Sequence, residues 1–125
     1  METMEYTLNA INDKNQPWLQ CIVNGSKKAE VRIATDKVKS FKIGDTLTLN
    51  GKNEFVKCKI VYLHFYKSFE EMLDKECLKN VAPFLTKKSD ALKLYYSFPG
   101  AERVKTFGCC AIGVEAIKSK LAFTI

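Results

Sequence analysis

The alternation of apolar and polar residues along this 125-residue chain predicts several short strands. Such alternation, or a continuous apolar run, marks five segments: 6–11, 28–35, 46–49, 54–66 and 108–117. The third and fourth segments are joined by the turn sequence NGKN, which predicts an antiparallel hairpin. The last segment, GCCAIGVEAI, is rather apolar, which is typical of a strand buried in a sheet.

Three other segments have the spacing of helices. A short helix is predicted in NQPWLQCIVNG, where Pro17 suits the first turn and Gly25 ends the helix. In SFEEMLDKECLKNV, Ser68 followed by Glu71 forms a capping box. A further helix runs from about Ser89 to Phe98, before a Pro-Gly pair breaks it.

The predicted order is strand, helix, three strands, two helices, strand. Because the hairpin in the middle is local, this order favours an α+β fold over a parallel βαβ sheet. We expect a small mixed β-barrel, or a strongly bent sheet, with helices covering its openings. The length suits one domain over residues 1–125.

Composition restricts the class of protein further. Hydrophobic residues make up 46% and charged residues 27%, as in ordinary globular domains. The sequence has no apolar run of about 18 residues and no signal-peptide pattern at its start, so we expect an intracellular protein in a reducing compartment.

Cysteine usage predicts reduced and mostly buried thiols. The five cysteines form no CxxC pair, and with a single histidine they predict no zinc site. We therefore expect no metal and no cofactor. Cys109 and Cys110 should point to opposite faces of the last strand, so that at least one of them belongs to the core.

Charge is concentrated in the segment VNGSKKAEVRI, residues 23–33. The net charge of +6 favours polyanions, but scattered surface lysines would give the same total. Alternation places Lys28, Glu30 and Arg32 on one face of a strand, which fits the solvated side of an edge strand. It also fits a ligand pocket, in which Lys27 is a point charge or base, Glu30 accepts from an exocyclic amine, and Arg32 binds a phosphate or base edge.

The same segment, IVNGSKKAEVRI, resembles the GxKxxExR signature of the ASCH domain, a branch of the PUA-like superfamily. Gly25, Lys27, Glu30 and Arg32 occupy the four signature positions. Three further family landmarks are resembled in the same order by later segments, which are FKIGDTLTL, HFYKSFEEML and LYYSFPGAERVKTFGCCAIGVEAI. The resemblance covers the chain from about Tyr6 to Ile117.

This resemblance implies a PUA-like β-barrel whose central cleft meets RNA or modified nucleosides. In the family, the signature lysine, glutamate and arginine lie in that cleft, and the strand-to-helix junction and a tyrosine form its other walls. Trp18 or a tyrosine could also stack a base. The implied ligand-binding residues are Gly25, Lys27, Glu30, Arg32, Tyr66, Ser68, Tyr95 and Tyr96.

Two hydrolase alternatives remain open beside a binding module for RNA or a nucleoside, which we favour. One family branch is similar to amidohydrolases of N4-acetylcytidine, which use a lysine and a threonine three residues later; Lys27 matches the lysine, but the threonine position holds Glu30. These two residues are the catalytic candidates, since Glu30 could activate a water beside Lys27. Another branch is linked to ribonuclease activity, for which Lys27, Ser68, and Tyr66 or Tyr95 could serve.

A third class, a protein-interaction adaptor, predicts an exposed apolar patch instead of a polar cleft, for example at residues 121–125, LAFTI. Partner proteins are not indicated by the sequence.

His64, the only histidine, fits a packed strand residue with a hydrogen-bonded ring better than an acid or base, although it shares a face with Tyr62 and Tyr66.

Overall fold

A computed structural model of the chain describes residues 2–118 and 122–123. Its strands are β1 Glu5–Asn9, β2 Ala29–Ile33, β3 Thr46–Asn50, β4 Glu54–Tyr66, β5 Cys109–Ala116 and β6 Ala122–Phe123. Its α-helices are α1 Trp18–Val23, α2 Asp36–Lys39, α3 Phe69–Glu76, α4 Leu78–Val81, α5 Lys88–Ser97 and α6 Val104–Phe107. A 3-10 turn at Ala101–Arg103 precedes α6.

Five strands form one mixed, curled sheet in the order β1-β3-β4-β5-β2, and β6 pairs with the beginning of β4. The predicted hairpin is confirmed, since β3 and β4 are antiparallel neighbours. β1 and β3 are parallel, and the other strand pairs between described residues are antiparallel. A register shift between Ile60 and Tyr62 divides the long β4 strand, so that its first part pairs with β3 and its second part pairs only with β5. Such irregularities bend a strand and help a sheet to curl.

Each face of the sheet carries its own apolar core. One core contains Trp18 and Ala29 with residues from α3, α5 and α6, and the other contains Leu19, Ile60 and Ile112 with residues from α2 and β3. The adjacent thiols at the start of β5 illustrate the division, because Cys109 lies in the first core and Cys110 in the second. Four of the five cysteines are buried, as expected, and Cys77 is exposed.

Local chemistry sets the ends of the helices. Ser68 Oγ accepts a hydrogen bond from Glu71 N at 3.1 Å, which confirms the predicted N-cap of α3. α3 ends at Glu76, and Cys77, with φ of 70°, separates it from α4. At Gly108, before β5, φ is 73° and a Cβ atom would lie 2.4 Å from Tyr66 O, so this approach of two chain segments requires glycine.

The two edge strands of the curled sheet, β1 and β2, approach each other without forming a ladder. Side chains reach across to β1 instead, since Arg32 Nη2 on β2 donates to Asn9 O at 2.7 Å and Lys37 Nζ on the following helix α2 donates to Thr7 O at 2.9 Å. The sheet is thus a half-barrel whose seam is held by cationic side chains.

The α+β class and the curled, barrel-like sheet with covering helices are as the sequence predicted. The predicted helical segment 68–81 is divided by Cys77 into α3 and α4, a break that the sequence did not predict, and α2, α6 and the 3-10 turn were not predicted either. In the described ranges 2–118 and 122–123, no helix is both long and apolar enough to span a membrane. Most of the segment 121–125, named above as a possible apolar patch, lies outside the described residues.

Candidate ligand-binding site

The charged segment 23–33 begins at the end of α1 and becomes the edge strand β2. Gly25 has φ of +81°, a conformation that glycine adopts without strain, and it turns the chain out of the helix. The following residues then enter β2, where alternation directs Glu30 and Arg32 to one face and Val31 and Ile33 to the other, as predicted. The segment does not form an ordinary solvated strand edge, because Lys27 and Glu30 are both buried.

Lys27 is fully enclosed, with a side-chain exposure of 0%. Its Nζ donates to Val81 O at 2.5 Å, lies 3.4 Å from Glu30 Oε1, and sits 4.6 Å from the centre of the Trp18 ring. Burial lowers the pKa of Lys27, and the nearby carboxylate of Glu30 opposes this shift without cancelling it. The ammonium therefore ties α4, β2 and α1 together.

Glu30 lies between two cations. Its Oε2 accepts from Arg32 Nη2 at 2.8 Å and from Nε at 3.1 Å, while Oε1 faces Lys27. Burial by itself would raise the pKa of this carboxyl, but the charges and hydrogen bonds of Arg32 and Lys27 outweigh it and lower the pKa. Glu30 is thus a permanently ionised, pure hydrogen-bond acceptor at neutral pH.

Arg32 is the partly open member of the three, with 26% of its side chain exposed. Nε and Nη2 are engaged by Glu30, and Nη2 also reaches the Asn9 carbonyl across the seam. Nη1 makes no hydrogen bond to any described residue. The guanidinium plane is therefore fixed by Glu30 while one of its nitrogens keeps its donors for another group.

A cavity of about 350 Å³ opens at this seam. It lies between the end of β1, the edge strand β2, and the segment from α5 to the 3-10 turn. Its polar lining includes Glu30 and Arg32. The full lining is Leu8, Asn9, Ala10, Ile11, Trp18, Glu30, Val31, Arg32, Ile33, Thr35, Val38, Phe69, Tyr95, Phe98, Pro99, Ala101 and Arg103. A mostly apolar and aromatic wall with a few convergent polar groups is typical of a small-ligand pocket.

Tyr95, on α5, is the predicted tyrosine that lines this cavity. Its ring stacks on Phe69 with centroids 5.4 Å apart and lies 6.2 Å from the ring of Trp18. The hydroxyl is buried and makes no hydrogen bond to any described residue. Burial raises the pKa of Tyr95, and the charge of Glu30 raises it further, so the hydroxyl keeps its proton.

The other predicted site residues lie outside the cavity. Ser68 caps α3, and Tyr96, exposed on α5, donates to Glu70 Oε1 at 2.7 Å. Gly25 and Lys27 line a separate pocket. Tyr66 donates its hydroxyl hydrogen to Glu76.

His64 belongs to the same cluster as Tyr66. Its Nδ1 lies 2.8 Å from Glu76 Oε2, and its ring stacks on Tyr62 at 4.4 Å. The ring is hydrogen-bonded, as the sequence suggested, but half of the side chain is exposed. It shares a face with Tyr62 and Tyr66 and does not line the cavity.

Several lining residues were not predicted from the sequence. Asn9, Thr35, Phe98 and Arg103 come from four different elements or loops, and only the curl of the sheet brings them together. The PG pair after Phe98 was interpreted as a helix break alone. In the structure the break also turns the chain so that Pro99 and Arg103 border the cavity.

Comparison with known proteins identifies the family. The ASCH domain family model matches residues 15–119, which include β2 and the α5 segment but not β1. No match to the chain was found among the curated proteins.

Two solved structures are similar in fold and sequence. The crystal structure of hypothetical protein PH0355 has 32% identity and a TM-score of 0.79, and the match covers 91% of this chain and 100% of that one. The solution structure of protein PF0455 from Pyrococcus furiosus has 28% identity and a TM-score of 0.67, with 93% and 98% coverage. The match of the family model over most of the chain, supported by these two folds, shows that the chain belongs to the ASCH domain family, whose members are generally thought to bind RNA.

Proposed function

We propose that this chain binds RNA, or a nucleoside-sized ligand, in the cavity at the seam between β1 and β2. The observation that carries the proposal is the Glu30–Arg32 ion pair, which is fixed in place and yet lines an aromatic-walled cavity. A pair that served stability alone would gain little from being partly open, since exposed ion pairs contribute at most about 1 kcal/mol.

The chemistry of the lining suits a nucleotide. Arg32 offers a guanidinium donor to a phosphate oxygen or a base edge, and Glu30 offers an acceptor to an exocyclic amine. Phe98, which is partly exposed, supplies aromatic surface on which an unstacked base can lie, and the buried ring of Trp18 is part of the lining. The net charge of +6 adds a general attraction for the phosphate backbone.

Lys27 has a different role in this proposal. Its ammonium is enclosed and hydrogen-bonded to Val81 O, so it positions Glu30 and does not touch the ligand. This arrangement supports a binding module over a hydrolase of RNA or of N4-acylated cytidine, because both hydrolase mechanisms need the lysine at the substrate.

A titration followed by tryptophan fluorescence tests the proposal. The chain has one tryptophan, Trp18, and it lines the cavity, so a bound base should change its emission. We expect Arg32→Gln to weaken binding of a single-stranded RNA about tenfold, as for the loss of one specific charged contact. Lys57→Gln is the matched control, because it removes one positive charge from an exposed site on β4 away from the cavity lining.

The two variants separate local from general electrostatics. If Arg32→Gln and Lys57→Gln weaken RNA binding equally, the cavity is not the binding site. Incubation of the wild-type protein with the same RNA and with N4-acetylcytidine, followed by mass spectrometry, tests the hydrolase alternative. Any product would show chemistry beyond binding.

A further inference from the structure

We propose that the free backbone edge of β2 at Val31 and the hydroxyl of Tyr95 together recognise the hydrogen-bonding edge of one unstacked nucleobase. This inference rests on the proposed function and specifies which part of the nucleic acid enters the cavity. It assigns base recognition to a main-chain peptide and to a hydroxyl group, in addition to the charged pair.

The hydrogen bonds that flank β2 fix the orientation of the Val31 peptide. Val114 N donates to Lys28 O at 3.0 Å, and Ala34 N donates to Gly108 O at 3.0 Å. In an antiparallel pair the residues that face the neighbouring strand alternate, so positions 30 and 32 direct their N–H and C=O groups toward β5, between the C=O of Lys28 and the N–H of Ala34, which also point there. Val31 lies between them and therefore directs its N–H and C=O away from β5.

No described strand pairs with β2 on that open side. Across the gap lies β1, and Arg32 and Lys37 bridge to its carbonyl groups. Val31 lines the cavity, so its N–H donor and C=O acceptor are available to a ligand there. A strand edge of this kind forms hydrogen bonds whenever a matching group approaches.

Tyr95 supplies the second, independent observation. Its hydroxyl is buried without a hydrogen-bond partner, although nearly all buried polar groups in folded proteins have one. Such an unsatisfied group reduces stability, and a phenylalanine would fill the same space without this cost. A ligand that hydrogen-bonds the hydroxyl gives a reason for tyrosine at this position.

Both features suit the edge of a base. Every nucleobase presents adjacent donors and acceptors in one plane, and proteins read single-stranded RNA by splaying such bases onto aromatic side chains. The cavity of about 350 Å³ is near the lower limit for small-ligand pockets, which fits one base with its sugar and excludes a duplex.

This inference is tested by measuring the affinity of the protein for four single strands of ten nucleotides, all at the same salt concentration. Three strands carry adenine, cytosine or uracil only, and the fourth is abasic with the same number of phosphates. For the wild-type protein we expect at least one base-bearing strand to bind about tenfold or more tightly than the abasic strand. Tyr95→Phe should reduce this ratio several-fold and raise the melting temperature of the free protein.

Tyr96→Phe is the matched control on the same helix. Its hydroxyl is exposed and bonded to Glu70, so this variant should keep the base preference and should not gain stability. A purely structural role for Tyr95 would leave the preference for base-bearing strands unchanged in Tyr95→Phe, and that result would overturn its part of the inference.

Val31→Pro tests the peptide. Proline removes the N–H that faces away from β5 and leaves the ladder intact, a position that proline tolerates in edge strands. If the variant folds with an unchanged circular dichroism spectrum, we expect it too to lose base preference, and an unchanged preference would exclude the Val31 N–H as a contact. Should it not fold, the comparison of Tyr95→Phe with Tyr96→Phe still decides.

The possible outcomes separate this inference from the proposed function. Equal binding of abasic and base-bearing strands would overturn base recognition but leave RNA binding in place. Failure of every strand and of free nucleosides to bind would overturn both. Where a strand does bind, competition by free nucleosides identifies the source of the base, since effective competition indicates a free nucleoside and weak competition indicates a base within a strand.

Discussion

Replacement of Lys27 by methionine separates structural support from ligand contact within the signature. Methionine keeps an unbranched side chain of similar length but removes the buried ammonium. The loss includes a hydrogen bond from a charged donor to Val81 O, worth about 1.5–3 kcal/mol, and the contact with Trp18, worth about 1 kcal/mol.

The remaining charge on Glu30 adds to the cost. Removing one partner of a buried ion pair typically costs about 3–5 kcal/mol because the other charge stays buried. Here Glu30 keeps its bonds to Arg32, which reduces this cost, and the ammonium no longer has to be desolvated. We therefore expect Lys27→Met to lower the free energy of unfolding by about 2–3 kcal/mol in total, since these contributions are not additive.

Urea unfolding measures this change. A loss of about 2–3 kcal/mol corresponds to a fall in the midpoint of about 1–2 M for a domain of this size. Lys28→Met is the control, because the neighbouring Lys28 is exposed and should show almost no change. At a temperature where both variants are folded, RNA affinity should stay within about threefold of wild type.

The opposite pattern would refute this reasoning. If Lys27→Met left stability unchanged and abolished RNA binding or a catalytic activity, Lys27 would act on the ligand in a conformation that exposes it. The enclosed position described above would then not be the functional one.

Three further predictions concern stability. The pKa of Glu30 is lower in the folded state than its usual value of 4.5, so its stabilising effect is present above pH 4.5 and is lost as pH falls through the folded-state pKa. The melting temperature of Glu30→Gln should therefore depend less on pH below about 4.5 than that of wild type. Ser68→Ala removes the cap of α3 and should cost about 1 kcal/mol in chemical denaturation, whereas Ser68→Asp, which can still cap, should retain most of the stability. Gly108→Ala forces a Cβ against Tyr66 O at a positive φ, and a loss of less than about 1 kcal/mol would contradict the described approach.

Much of the fold was predictable because it depends on local signals. The NGKN turn, the Ser68 cap and the alternation in β2 each involve a few consecutive residues, and the structure contains all three features. The parallel pairing of β1 with β3 was not predicted, since periodicity indicates which segments are strands but not which strands become neighbours.

The candidate site was predictable only in part for the same reason. The signature identifies Glu30 and Arg32, but sequence alone could not distinguish a cavity-lining charge from an enclosed one such as Lys27. That difference depends on α4, whose Val81 carbonyl reaches the ammonium from a segment 54 residues away in sequence. The free peptide of Val31 has no signal in the sequence, because any residue other than proline provides the same N–H and C=O groups.

The central claim is tested most directly by two-dimensional NMR, in which the backbone and indole N–H signals are followed during titration with single-stranded RNA. The claim is that the ligand occupies the seam between β1 and β2. We expect the largest shifts at the amide of Val31, at Thr35 and at the indole N–H of Trp18, with little change at His64, which lies two strands away on β4 and does not line the cavity. Shifts concentrated around His64 and Tyr66, with the Val31 and Trp18 signals unmoved, would place the ligand elsewhere and contradict the account.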